Sequence, residues 1–170
     1  MQVKHSFPPV TDVNTRLLLL GSLPGEVSLA QTRYYAHPRN QFWTLLGDVL
    51  GTDLVRISYP ERLERLLAAG VGLWDVVASA TRKGSLDMHI RGHVPNELGA
   101  LAKSLPRLRA IAFNGKTAAA IGRRQIGHTS GLVLIDLPSS SPANTLPLSG
   151  KREQWRALRA WLEEEGRPNP

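Results

Sequence analysis

The run Arg16-Leu17-Leu18-Leu19-Leu20, closed by Gly21, admits few structures. It is apolar at every position and too short for a core-crossing helix, so it predicts a strand buried on both faces. Residues 71–77 (VGLWDVV), 108–113 and 132–137 predict three more strands. Between them lie helical periodicities. Phe42, Leu45, Leu46, Val49 and Leu50 recur at helical spacing, and ERLERLLAA carries Leu63, Leu66 and Leu67 on one side before Gly70. Asn96 is expected to cap a helix over 96–105 that Pro106 breaks, and residues 117–121 form an alanine-rich helix. Ser149 is expected to cap a last helix whose buried stripe is Trp155, Leu158, Trp161 and Leu162. Strands alternating with helices, with no tight hairpin signal, predict right-handed crossovers and an α/β fold with a parallel sheet covered on both faces.

In such sheets ligands bind beyond the carboxyl ends of the strands. Gly21, Asp75, Asn114 and Pro138 stand at four such ends, so the loops after them should converge. The loop over 21–43 is long for a compact domain, and loops of that length usually form a site. It holds Gly21, Pro24, Gly25, Tyr34, Tyr35, His37, Arg39 and Asn40, and is expected to make the floor and one wall of a pocket. Residues 78–95 read as an irregular basic surface loop carrying Arg82, Lys83 and Arg91.

Lys and Arg number 21 against 14 Asp and Glu, a net charge of +7 that suits a polyanionic partner. The absence of cysteine excludes disulfides, thiol nucleophiles and cysteine-ligated clusters. No apolar run approaches the roughly 18 residues that span a bilayer, and the N-terminus lacks signal-peptide character, so a cytoplasmic protein is expected. Three motifs lead nowhere. Asn114-Gly115-Lys116-Thr117 lacks the earlier glycine of a phosphate loop, His89 and His93 are separated by Gly92 with no third ligand, and no Gly-x-Ser-x-Gly elbow occurs.

GSLPG at 21–25, followed by YYAHPRNQFW at 34–43, resembles the first motif of the uracil-DNA glycosylase superfamily, and most its hypoxanthine-DNA (deoxyinosine) glycosylase branch. LPSSSPAN at 137–144 is similar to the loop those enzymes push into the minor groove. The resemblance implies a three-layer α/β/α sandwich around a short parallel sheet of about four strands, one domain over 1–170 with residues 1–15 as an N-terminal arm. It implies a monofunctional base-excision-repair enzyme that releases a flipped deaminated base, foremost hypoxanthine, as a monomer with no metal, iron-sulfur cluster or organic cofactor. A uracil or broad-range glycosylase and a non-catalytic damage-binding module are the alternatives.

Under that resemblance Asn40 is the catalytic residue, its amide oxygen holding a water near the anomeric carbon; as a residue before a helix it is equally suited to capping. Gly21, Ser22, Leu23, Pro24, Tyr35, Phe42, Asp75 and Asn114 would bind the base, with Tyr35 stacking on it and backbone amides of Ser22 and Leu23 donating to it. Asp87 is a further pocket candidate, and His37 with Pro38 shapes the turn. Ser139, Ser140, Ser141, Pro142, Ala143 and Asn144, with Arg39, Arg82 and Lys83, would contact DNA; Arg91 and Lys116 are further phosphate candidates. Three departures stand out. Leu23 replaces a water-activating asparagine or carboxylate, Ser139 replaces a histidine, and Ala143 replaces a leucine wedge.

Overall fold

The computed structural model describes residues 2–127 and 131–163. A short strand β1 (Val3–His5) leads to β2 (Leu17–Gly21), then helices α1 (Glu26–Gln31), α2 (Phe42–Leu50) and α3 (Tyr59–Ala68). Strand β3 (Val71–Asp75) passes almost directly into β4 (Val77–Arg82), and β5 (Ile90–Pro95) and α4 (Leu98–Ser104) follow. The chain then runs through β6 (Ala110–Asn114), α5 (Lys116–Ile126), β7 (Val133–Leu137) and α6 (Leu148–Arg156), which continues as a 3-10 turn over Ala157–Trp161.

The main sheet has the order β3-β2-β6-β7, and every pairing in it is parallel. Leu17 and Leu19 pack on one face with Phe42 and Leu45 of α2, Leu66 of α3 and Trp155 of α6. Leu18 and Leu20 pack on the other with Leu98 of α4 and Ala118 and Ile126 of α5. All four leucines are fully buried. A strand covered on both faces has no solvent side to carry polar residues, which is why the leucines run without interruption. Each contributes about 1.5–3 kcal/mol of burial free energy. The three-layer α/β/α sandwich is therefore present. The register sets Gly21 beside Asp75 and Asn114 beside Leu137, so these strands end along one edge.

A second sheet, β1-β4-β5, is antiparallel and was not legible in the sequence. It occupies part of the arm and most of the segment expected to be an irregular loop. β5 exposes four of its six residues, so its side chains carry no hydrophobic period, and only backbone pairing to β4 makes it a strand. Two of the expected caps also differ. Asn96 stands outside α4; its amide donates to the Asp75 carbonyl at 2.7 Å and to Ser6 Oγ at 3.1 Å, tying the small sheet to the large one. Ser149 lies inside α6, which begins after Pro147, whose ring presets the backbone there. Ser58 caps α3, its side chain accepting from the Glu61 amide. No described helix is long and apolar enough to cross a membrane.

Candidate active site

At the carboxyl edge of the main sheet the loops after β2, β6 and β7, with Asp75 at the end of β3 and the β4–β5 connection, enclose a cavity of about 760 Å³. That lies within the usual range of small-molecule sites, about 300–1,000 Å³. Gly21 opens its floor. A Cβ at this position would lie 2.7 Å from Asp75 Oδ1 and 2.8 Å from the Tyr35 hydroxyl oxygen, so only glycine lets both groups approach the strand end. Tyr35 holds a left-handed backbone (φ 52°), uncommon for an aromatic residue, and its ring stacks on Phe42 with centroids 3.8 Å apart. Phe42 in turn meets Trp43 and Trp155 edge-on. The aromatic stack thus anchors the loop to the core through α2.

Asp75 is 3% exposed, and burial, reinforced by the nearby Asp87 carboxylate and opposed by Arg82, pushes its pKa up to about 7. Asp75 Oδ2 and the Tyr35 hydroxyl are both buried without a hydrogen-bond partner among the described residues. Asp87 is also raised by burial, against the Ser22 hydroxyl, which donates to its Oδ1 at 2.6 Å, and the Arg82 charge. Because the folded pKa of Asp75 exceeds its ordinary value near 3.9, the folded state holds the proton more tightly. Its stabilising contribution is therefore full below about pH 4 and is lost as pH rises through about 7. Chemical denaturation across that range should show a downward slope in stability that Asp75→Asn reduces, the remainder coming from Asp87. An unchanged slope would show that Asp75 is not the titrating group.

The opposite wall is a polar chain. Ser140 is fully buried between Asn114 and Asn40. Its amide donates to Asn114 Oδ1 at 2.9 Å, its hydroxyl accepts from Asn114 Nδ2 at 2.9 Å, and the same hydroxyl donates to Asn40 Oδ1 at 2.8 Å. Asn40 Oδ1 also accepts from the Phe42 amide at 3.0 Å, so this residue supports the first turn of α2 although Gln41 occupies the cap position. Both lone pairs of the oxygen expected to hold a water are therefore engaged by protein donors. Asn40 Nδ2 makes no hydrogen bond among the described residues and is the polar atom left for a ligand.

Beneath this wall lies Lys151, 1% exposed, donating to Gln41 Oε1 at 2.9 Å and to the Ser141 carbonyl at 3.3 Å. Burial lowers its pKa. The Gln41 amide donates to the Ser140 carbonyl at 2.9 Å, and Trp155 Nε1 donates to the Pro138 carbonyl, so α6 and α2 together clamp the loop over 138–144. Lys151 has no place in the sequence reading. Its one signal was position: it stands four residues before Trp155 on the buried stripe of α6, where a lysine needs a polar reason.

Of the residues expected at the site, Gly21 through Pro24, Tyr35, Arg39, Asn40, Asp75, Asp87, Asn114, Lys116 and the whole 139–144 segment line the cavity. Phe42 does not, being fully buried under Tyr35. Arg82, expected to meet phosphate, is 2% exposed, and its guanidinium donates to the carbonyls of Leu23, Pro24 and Gly84. It is a brace that shapes the GSLPG loop, with no free donor face for DNA. Lys83, on the β4–β5 connection, and Arg91, in β5, are exposed and lie outside the cavity lining. Among the described residues no three His, Asp or Glu side chains group to hold a metal ion.

The chain has clear relatives in sequence and in fold. The sequence model of the uracil DNA glycosylase superfamily matches residues 8–163. The chain is 41% identical to a hypoxanthine DNA glycosylase of Methanosarcina barkeri, over 89% of this chain and 95% of the relative. It is 37% identical to a hypoxanthine DNA glycosylase of Methanosarcina acetivorans, over 92% and 98% respectively. A solution NMR structure of a candidate uracil DNA glycosylase from Methanosarcina acetivorans superposes with a TM-score of 0.85 at 37% identity, covering 96% of this chain and all of the other. A family model that spans residues 8–163 and two relatives at 37–41% identity over most of the chain establish the family, and the doubly covered parallel sheet agrees with the superposed structure: the chain belongs to the uracil DNA glycosylase superfamily.

Proposed function

We propose that this protein is a monofunctional DNA glycosylase that hydrolyses the N-glycosidic bond of a flipped deaminated base, foremost hypoxanthine in deoxyinosine. The observation that carries the reading is the 2.8 Å bond between Ser140 and Asn40, residues 100 positions apart, which closes the two motif-bearing loops over one cavity with room for an extruded nucleotide. The two relatives at 37–41% identity, both named for hypoxanthine, support the choice of base.

In the reaction the bond from the sugar anomeric carbon to the base nitrogen breaks with its electron pair going to the base. A water oxygen adds to the anomeric carbon, and the proton that water sheds balances the one the departing base takes up. The transition state is cationic at the sugar and anionic at the base, so positioned dipoles matter more than a strong nucleophile. Asn40, its oxygen tethered, presents Nδ2 to the water or sugar oxygen and holds it in line. Tyr35, backed by Phe42, offers the base a flat apolar surface, and Asn114 and Asp75 stand at the strand ends beside it. The 139–144 loop and Arg39 meet the sugar-phosphate backbone.

A panel of duplexes carrying deoxyinosine, deoxyuridine, deoxyxanthosine or no lesion, scored for alkali-labile abasic sites, tests this. Release is expected from deoxyinosine above the others and none from the undamaged control. Stronger release from deoxyuridine would favour a uracil enzyme, and release from none, with binding retained, would leave a damage-binding module.

A further inference from the structure

The connection between β4 and β5 carries two exposed large apolar side chains, Leu86 at 45% and Met88, the most exposed among the described residues, at 72%. They do not dangle from a loose loop. Gly84 accepts at its carbonyl from Lys4 Nζ and Arg82 Nε, both at 2.8 Å, and Ser85 Oγ accepts from the Glu26 amide at 3.0 Å. Asp87 is pinned by Ser22 at 2.6 Å, the His89 amide donates to the Leu86 carbonyl, and Arg91 donates to the Met88 carbonyl at 2.8 Å. Residues 84, 85 and 87 are thus fastened inward, and Leu86 and Met88 are the side chains left pointing out. Leu86 also lines the mouth of the cavity. Lys83 and His89, both exposed, flank the pair.

Resting on the proposed glycosylase reading, we infer that Leu86 and Met88 are a wedge that enters the duplex base stack beside the extruded nucleotide. A nucleotide that leaves the stack opens a gap of about one base step, roughly 3.4 Å. Proteins that unstack duplexes fill such gaps with apolar side chains, methionine and leucine among them. The loop over 139–144 offers only the Ala143 methyl and the short Pro142 ring, on a tight turn closed by the Asn144 amide to the Ser141 carbonyl. Met88 is longer and conformationally adaptable, so it conforms to whichever base pair adjoins the gap. The exposed Lys83 ammonium favours the adjoining phosphate, and the braced backbone means that little order is lost on insertion.

The test is a Leu86→Ala/Met88→Ala double variant, beside Met88→Ala and Met88→Leu. Single-turnover release from a deoxyinosine duplex should fall roughly 10- to 100-fold in the double variant, the scale of unstacking one base step. Met88→Ala, which leaves the cavity lining intact, should lose rate on the duplex but not on the same oligonucleotide as a single strand, where no stack is opened, and Met88→Leu should keep the duplex rate. Equal losses on both substrates, or no loss on the duplex, would overturn the wedge. A second readout needs no chemistry: 2-aminopurine placed next to deoxyinosine should brighten when the wild type binds and stay dim with the double variant. Brightening by both proteins overturns the wedge even where no base is released, whereas absence of release alone counts only against the glycosylase reading.

Discussion

Replacing Asn40 with alanine should reduce base release by roughly 100- to 1,000-fold, the loss seen when one preorganised donor is removed from a reacting centre. Duplex binding should stay near wild type, because the phosphate-facing groups are elsewhere. The substitution removes three things at once: the acceptor for Ser140, the acceptor for the Phe42 amide, and the unengaged Nδ2. The second of these is a helix-start contact worth about 1 kcal/mol, so a modest fall in Tm accompanies the kinetic defect. Asn40→Asp separates the contributions. A carboxylate still accepts from Ser140 and Phe42, so stability should recover; it has no donor, so release should not. Single-turnover rates, binding anisotropy and thermal melts on the two variants check this. Wild-type-like release by Asn40→Ala would remove the residue from the mechanism, and full release by Asn40→Asp would show that the oxygen, not Nδ2, matters.

Ser140→Ala is the second large effect. One hydroxyl serves as acceptor for Asn114 Nδ2 and donor to Asn40 Oδ1, in a position with no solvent access. Deleting it leaves Asn114, itself 8% exposed, with an unpaired amide donor, a defect of about 1–3 kcal/mol. The Ser140 amide keeps its bond to Asn114 Oδ1, and the Ser140 carbonyl keeps the Gln41 amide, so the loop stays attached through its backbone. The consequence is a site that is assembled but loose. Release should drop at least tenfold, since sub-ångström misplacement of a positioning group is enough for that. The signature is a loss in the single-turnover rate constant larger than the loss in substrate affinity. If the reverse is found, the Asn114-Ser140-Asn40 chain serves binding and not positioning.

Much of the fold was legible because its signals are local. The leucines of β2, the spacing of Phe42 to Leu50 and the stripe from Trp155 to Leu162 each report burial within a few residues of chain, and a parallel α/β sheet follows from their alternation. The placement of Gly21, Asp75 and Asn114 at strand ends follows from the same reading, since a doubly covered sheet leaves only its carboxyl edge for ligands. The β1-β4-β5 sheet escaped because strand pairing is a backbone interaction, and the exposed side chains of β5 do not report it. Arg82 was misread for a related reason. A basic residue in a polar stretch suggests a surface charge, and its burial comes from three carbonyls, two of them contributed by a loop almost sixty residues away.

The chain's own letters determined the layered architecture, the edge where a ligand sits and the identity of the two loops that surround it, because periodicity, turn chemistry and motif order are properties of neighbouring residues. Tertiary structure alone decided which atoms remain available there. It engaged the Asn40 oxygen, buried Lys151 beneath the Ser140 turn, turned Arg82 inward and left Leu86 and Met88 outward. Those outcomes depend on hydrogen-bond partners brought together across as much as 110 positions, and no local pattern encodes which of several chemically competent partners a polar group will meet.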